Sequence, residues 1–96
     1  MVYGLPTPQS QLDKYKVLVE VPPPLTTATF QQDFDRRCLT LAKQSTSYQE
    51  SDSYFQQGDY ANQNLDTEAV CYCVVRLSNG SIVDLTHDVL ASLGAV

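Results

Sequence analysis

The most constraining stretch of this chain is residues 68–85, EAVCYCVVRLSNGSIVDL. Two β-rich runs flank Asn79-Gly80, and Asn-Gly between apolar runs is the strongest short-range hairpin signal. A two-residue type I′ turn there sets a register of Leu77 opposite Ile82, Arg76 opposite Val83 and Val75 opposite Asp84. One face then carries Ala69, Cys71, Cys73, Val75, Leu77 and Ile82. The other carries Val70, Tyr72, Val74, Val83 and Leu85, with Arg76 near the turn. Both faces are apolar, whereas an antiparallel strand with one solvated face alternates. Each side of the hairpin therefore needs a cover.

The covers must come from a short chain. At 96 residues and 10.7 kDa there is room for one domain and one modest core. Residues 30–43, FQQDFDRRCLTLAK, place Phe30, Phe34, Cys38 and Leu41 on one face at helical spacing. Thr29 with Gln32 fits a capping box at the start of that helix. Asp33 and Asp35 come early while Arg36, Arg37 and Lys43 come later, which suits the helix dipole. This helix covers one face. The second falls to the C-terminal helix, to residues 44–67, or to another subunit.

Residues 14–21, KYKVLVEV, read as a strand with Tyr15, Val17, Val19 and Val21 inward. Pro22, Pro23 and Pro24 end it. Thr86 is positioned to cap a last helix, HDVLASL, that stops at Gly94. The expected fold is α+β. It is a small antiparallel sheet of strands near 14–21, 69–78 and 81–85, packed by a helix near 30–43 and a short C-terminal helix. Residues 1–13, punctuated by Pro6 and Pro8, form an extended arm with Tyr3 and Leu5 as apolar handles. Residues 14–96 form the domain. Within it, the polar, Tyr- and Gln-rich segment 44–67 is either a working loop or partly helical. Ser47 with Glu50 matches a capping box and Gly58 a stop.

The net charge of −5 is unevenly placed. No Lys or Arg lies between Lys43 and Arg76, an interval holding Glu50, Asp52, Asp59, Asp66 and Glu68. Direct nucleic-acid binding requires a basic footprint, and this chain has none. No apolar run is long enough to cross a bilayer. The first residues carry neither a basic nor an apolar signal region. The expected setting is the cytoplasm or a particle assembled inside the cell, with Cys38, Cys71 and Cys73 reduced. A bridge from Cys38 to the hairpin would need an oxidising compartment.

Catalytic and metal chemistry find little footing. Cys71 and Cys73, with Cys38 and His87, lack the C-x₂₋₄-C spacing of structural zinc sites. Buried free Cys behaves as a small hydrophobe, and these positions already belong to an apolar face. His87 and Asp88 are helical neighbours and do not face each other. There is no nucleophile elbow, P-loop, dinucleotide fingerprint or EF-hand loop. No enzyme activity, metal or cofactor is expected.

The residues expected to meet a partner are Tyr3, Leu5, Tyr48, Tyr54, Phe55, Tyr60, Tyr72 and Val74. Rigid rings among Ser, Asn and Gly suit adaptable contact surfaces. The expected function is that of a non-catalytic structural or accessory subunit of a larger protein assembly. A virus-particle connector or a small subunit of a multiprotein complex are examples, with a second copy of the chain among the candidate partners. The alternative is a small acidic inhibitor or nucleic-acid mimic that fills a basic groove on a target protein.

Overall fold

The structure, a computed structural model, describes residues 12–44 and 48–95, with Tyr48 described by its backbone. The fold is α+β, as its apolar patterning predicts. A short 3₁₀ turn, Asp13–Tyr15, leads into β1 (Val17–Glu20), then α1 (Thr27–Ala42), β2 (Tyr48–Gln57), β3 (Glu68–Leu77), β4 (Ile82–Asp84) and α2 (Thr86–Ser92). All strand pairings are antiparallel and all run through β3.

The two edges of β3 are filled differently. Along one, β1 and β4 lie end to end: Val17 pairs with Cys71 and Glu20 with Glu68, while Val74 pairs with Asp84 and Arg76 with Ile82. The join falls at Cys73, and Thr86 closes it. The Cys73 amide donates to Thr86 Oγ1 at 2.9 Å, and that hydroxyl donates back to the Cys73 carbonyl at 3.3 Å. The Leu85 amide also donates to that carbonyl, at 2.8 Å. Along the other edge a single strand, β2, pairs from Gln57↔Ala69 to Tyr48↔Leu77, with one irregularity between Tyr48 and Glu50.

The strand β2 replaces the helix expected from Ser47, Glu50 and Gly58. Capping residues at helical spacing carry little weight here, because the ten residues of β2 hold only Tyr48, Tyr54 and Phe55 as large apolar groups. They cannot make a helical apolar stripe. In the extended form Tyr54 and Phe55 serve opposite faces, and the ladder satisfies the buried backbone of β3.

The hairpin between β3 and β4 also differs from its expected form. The Gly80 amide donates to the Leu77 carbonyl at 2.9 Å and the Leu77 amide donates to the Ser81 carbonyl at 2.8 Å. Gly80 alone in this loop has positive φ, at 88°. That is a three-residue loop with a bulged glycine, not a two-residue type I′ turn. Only one position then needs the left-handed region, and Asn79 Oδ1 is free to accept the Ser81 amide at 2.9 Å. The register moves by one, which turns each β4 side chain to the other face. Val83 and Leu85 join the helix-covered face and Ile82 joins the opposite one.

Both helices lie on the first face. Their core includes Val19, Val21, Phe30, Phe34, Cys38, Ala69, Cys71, Cys73, Val75, Val89 and Leu90. The N-cap of α1 lies three residues before the expected one at Thr29: it is Thr26, its Oγ1 accepting the Thr29 amide at 3.1 Å. Thr86 lies inside α2 with its hydroxyl spent on β3, so it is not the cap either. Gly94 does end α2. With φ of 75° it lets its own amide reach Ala91 O at 3.2 Å and the Ala95 amide reach Leu90 O at 2.9 Å, a Schellman closure.

The second face is closed by a smaller group of Leu12, Tyr15, Tyr54, Tyr72, Val74 and Ile82. The C-terminal helix supplies none of this group; of the expected covers the 44–67 segment contributes, through Tyr54, and the rest comes from Leu12, Tyr15 and Ile82. Leu12 belongs to the folded body rather than to a free arm. Tyr15 joins this face because the 3₁₀ turn breaks the alternation expected over 14–21.

The thiols are not all reduced. Cys38 of α1 and Cys73 of β3 form a disulfide with Cα atoms 5.9 Å apart, and Cys71 is free and buried. Cys73 is thus held by α1 through its sulfur and by α2 through its backbone. Among the described residues no helix is long and apolar enough to cross a membrane.

Candidate interaction surface

The expected contact residues divide by their position in the sheet. Tyr3 and Leu5 lie outside the described residues. Tyr48 opens β2 opposite Leu77. Phe55 turns to the helix face, its ring 5.9 Å from both Phe30 and Phe34. Tyr72 and Val74 are 1% and 2% exposed. Tyr72 and Val74 are packing residues that the central place of β3 puts inside, while Phe55 is half-buried, packed against the helix-face core.

Tyr54 is half-buried and stacks on Tyr72 at 5.5 Å with 15° between the rings. Its hydroxyl donates to Gln56 Oε1 at 2.7 Å, and Lys16 Nζ lies 4.5 Å from its ring centroid. The Asp13 carboxylate, 3.2 Å from Lys16 Nζ, holds that ammonium above its usual range. Tyr60 is 62% exposed, with its hydroxyl 3.5 Å from the Lys16 carbonyl.

The loop from Gly58 to Thr67 is tightly built. Asp59 Oδ1 accepts the amides of Ala61 and Gln63 at 2.8 and 2.9 Å, and Asn64 Nδ2 donates to Glu68 Oε1 at 2.8 Å. Thr27 Oγ1 donates to Leu65 O at 2.8 Å, tying the loop to the start of α1. Gly58 sits at φ 87°, and a Cβ there would come within 2.7 Å of Gln63 O and Leu65 Cδ2. Two of the five unbalanced acids, Asp59 and Glu68, therefore accept loop hydrogen bonds. Glu50 and Asp52 on β2 are exposed and make no ion pair among the described residues.

The remaining feature is the outer edge of β2, which faces no strand among the described residues. Its backbone orientation follows from the ladder. The Gly58 amide donates to Glu68 O at 2.7 Å, so even-numbered residues of β3 and β2 exchange hydrogen bonds with each other. The amides and carbonyls of Ser51, Ser53, Phe55 and Gln57 point the other way, to the open edge. Side chains alternate across it: Glu50 and Asp52 flank the edge on the second face, Ser51 and Ser53 on the first. Sequence reasoning selected Tyr and acidic side chains of this segment and missed the edge itself, because an edge is a property of topology. Tyr54 and Phe55, adjacent rings that an extended strand sends to opposite faces, were its available signal.

A small cavity of about 70 Å³ lies beside the acids, lined by Leu12, Val74, Ile82, Glu50, Asp52 and Arg76 among others. It is too small for more than a few water-sized groups. Among the described residues, no group of three or more His, Cys, Asp or Glu side chains is placed to hold a metal ion. In comparisons with known proteins, no protein family, no curated relative and no solved structure matches this chain.

Proposed function

We propose that this chain is a non-catalytic subunit that joins a larger assembly by taking an extended segment of a partner protein along the open edge of β2. The observation behind this reading is that edge: a ten-residue strand whose outward amides and carbonyls have no partner strand among the described residues. An added strand gains affinity from main-chain hydrogen bonds and specificity from side chains at alternate positions. Glu50 and Asp52 set those positions for Lys or Arg. The net charge of −5 opposes pairing with a second copy.

The acidic-mimic reading draws on the same carboxylates and is the weaker one. With Asp59 and Glu68 engaged in the loop, Glu50, Asp52 and Asp66 are left to present charge, sparse beside a nucleic-acid backbone. The disulfide favours an oxidising compartment, or a particle exposed to one, over the reducing cytoplasm as the working environment.

The test is affinity capture from the native source with the wild type, Ser53→Pro and the pair Glu50→Lys, Asp52→Lys. A protein retained by the wild type, lost with Ser53→Pro and weakened by the charge reversal supports the edge reading. Capture that survives Ser53→Pro but fails after charge reversal supports the acidic mimic. A dimer of the wild type that Ser53→Pro dissolves would assign the edge to self-pairing.

A further inference from the structure

We propose that the Cys38–Cys73 disulfide is a redox-sensitive latch that holds the C-terminal half of α1 on the sheet, closed in an oxidising milieu and open in a reducing one. The two halves of α1 are anchored unequally. Its first half buries Thr27, Phe30 and Phe34, adds the Phe55 ring contacts and ties Thr27 Oγ1 to the 58–67 loop. Beyond Phe34 the one fully buried side chain is Cys38. Arg36, Arg37, Leu39 and Thr40 are exposed, Leu39 by 51%, and Leu41 and Ala42 are half-buried. The other end of the bond is fixed: Cys73 sits mid-sheet with its amide and carbonyl held by Thr86 and Leu85. The bond therefore joins a rigid anchor to a helix half whose other attachments are the half-buried Leu41 and Ala42, packed on the same core, and local opening begins where such attachments are fewest.

Opening is a thiol–disulfide exchange with a dithiol reductant. A reductant thiolate attacks one protein sulfur, the Cys38–Cys73 bond breaks, and a mixed disulfide forms. The second reductant thiol then closes its own disulfide. Two electrons and two protons pass to the protein, leaving two cysteine thiols. Both sulfurs are buried in the closed state, so exchange follows fraying of the helix end. Cys71, on the same strand face, is the third cysteine, and burial, with the Asp35 carboxylate adding to it, pushes its thiol up to about 12. A thiol that is rarely a thiolate is a poor attacking group, so the latch does not reshuffle onto Cys71.

Hydrogen–deuterium exchange of the intact chain, purified without reductant and then compared with and without dithiothreitol, tests this. The oxidised protein should show one free thiol after denaturation and the reduced protein three. On reduction, amide exchange across residues 36–43 should rise at least tenfold while residues 27–34 and β3 change far less. The double variant Cys38→Ser, Cys73→Ala should show the open pattern without reductant, and Cys71→Ala should remain responsive. Three free thiols in the oxidised sample, an unchanged exchange pattern, loss of the response in Cys71→Ala, or exchange rising uniformly over the chain would each overturn the latch. A double variant that fails to fold would also overturn it, by showing a staple of the whole domain.

Discussion

The two faces of β3 are apolar to a similar degree and are covered by different means. Against Cys71, Cys73 and Val75 lie two helices, three Phe rings and a disulfide. Against Tyr72 and Val74 lie Leu12, Tyr15, Tyr54 and Ile82, drawn from a turn and from neighbouring strands. Burial is nearly complete on both sides of β3, yet the first cover is a layer while the second is a patch. An apolar strand therefore reports that something covers it, and says nothing of how thick the cover is. The first face should dominate stability. The second, with the edge beside it, is where change should be tolerated.

The largest effect expected is on the first face. Phe34 is fully buried and contacts Phe55 at 5.9 Å, so Phe34→Ala leaves a cavity where α1 meets the sheet. The expected cost is about 3–5 kcal/mol, as for other buried Phe truncations. At roughly 4–8 °C per kcal/mol for a domain of this size, thermal unfolding should fall by at least 12 °C, as read by circular dichroism. A loss no larger than that of a second-face truncation would contradict the ranking of the two covers.

Next comes the plug between β1 and β4. Thr86→Val keeps the shape and removes the hydroxyl that accepts the Cys73 amide. A buried amide is left unpaired, which costs about 1–3 kcal/mol. Chemical denaturation with an unchanged m-value is the appropriate measurement. A neutral Thr86→Val would mean that water or a backbone shift reaches Cys73.

On the second face, Tyr54→Ala removes the stack on Tyr72, the contact with Lys16 and the hydrogen bond to Gln56. Tyr54 is half-buried, and the expected cost is about 1–2 kcal/mol, mostly lost ring contact. The same measurement on Phe34→Ala and Tyr54→Ala compares the covers directly. Sites on opposite faces of a sheet should also add in the double variant, within about 0.5 kcal/mol.

What was legible in the sequence follows the same division. Phe30, Phe34 and Cys38 recur at helical spacing because α1 presents one stripe to a broad face, so periodicity alone finds the helix. Residues 69–75 are apolar throughout because β3 is central, and composition alone finds that strand. β2 escapes both signals. It is an edge strand whose burial comes from Phe55 on one face and Tyr54 on the other, and the side chains of residues 49–53, 56 and 57 are exposed or half-buried polar groups. The β4 register escapes because Ser78-Asn79-Gly80 can close a hairpin with one left-handed residue or two, and neighbouring residues do not say which. The disulfide pairs residues 35 apart in sequence, and only packing α1 on β3 brings them together. The candidate edge is hidden for the further reason that β1 and β4 are short enough to share one side of β3, which leaves the other side to β2.

The smallest expected effect on stability is also the sharpest test of the edge. The amide of Ser53 points away from β3, and its side chain is exposed. Proline there removes no ladder bond, and edge strands tolerate it where the missing amide would face solvent. Ser53→Pro should therefore cost under about 1 kcal/mol. Its neighbour gives the contrast. The Asp52 amide points to Val74, so Asp52→Pro breaks the central ladder and should cost several times as much. Denaturation of the two variants side by side reads the backbone phase of β2 without any knowledge of its partner. If the penalties are reversed, the outward groups belong to the even residues, and the partner strand must be sought in a register one residue away.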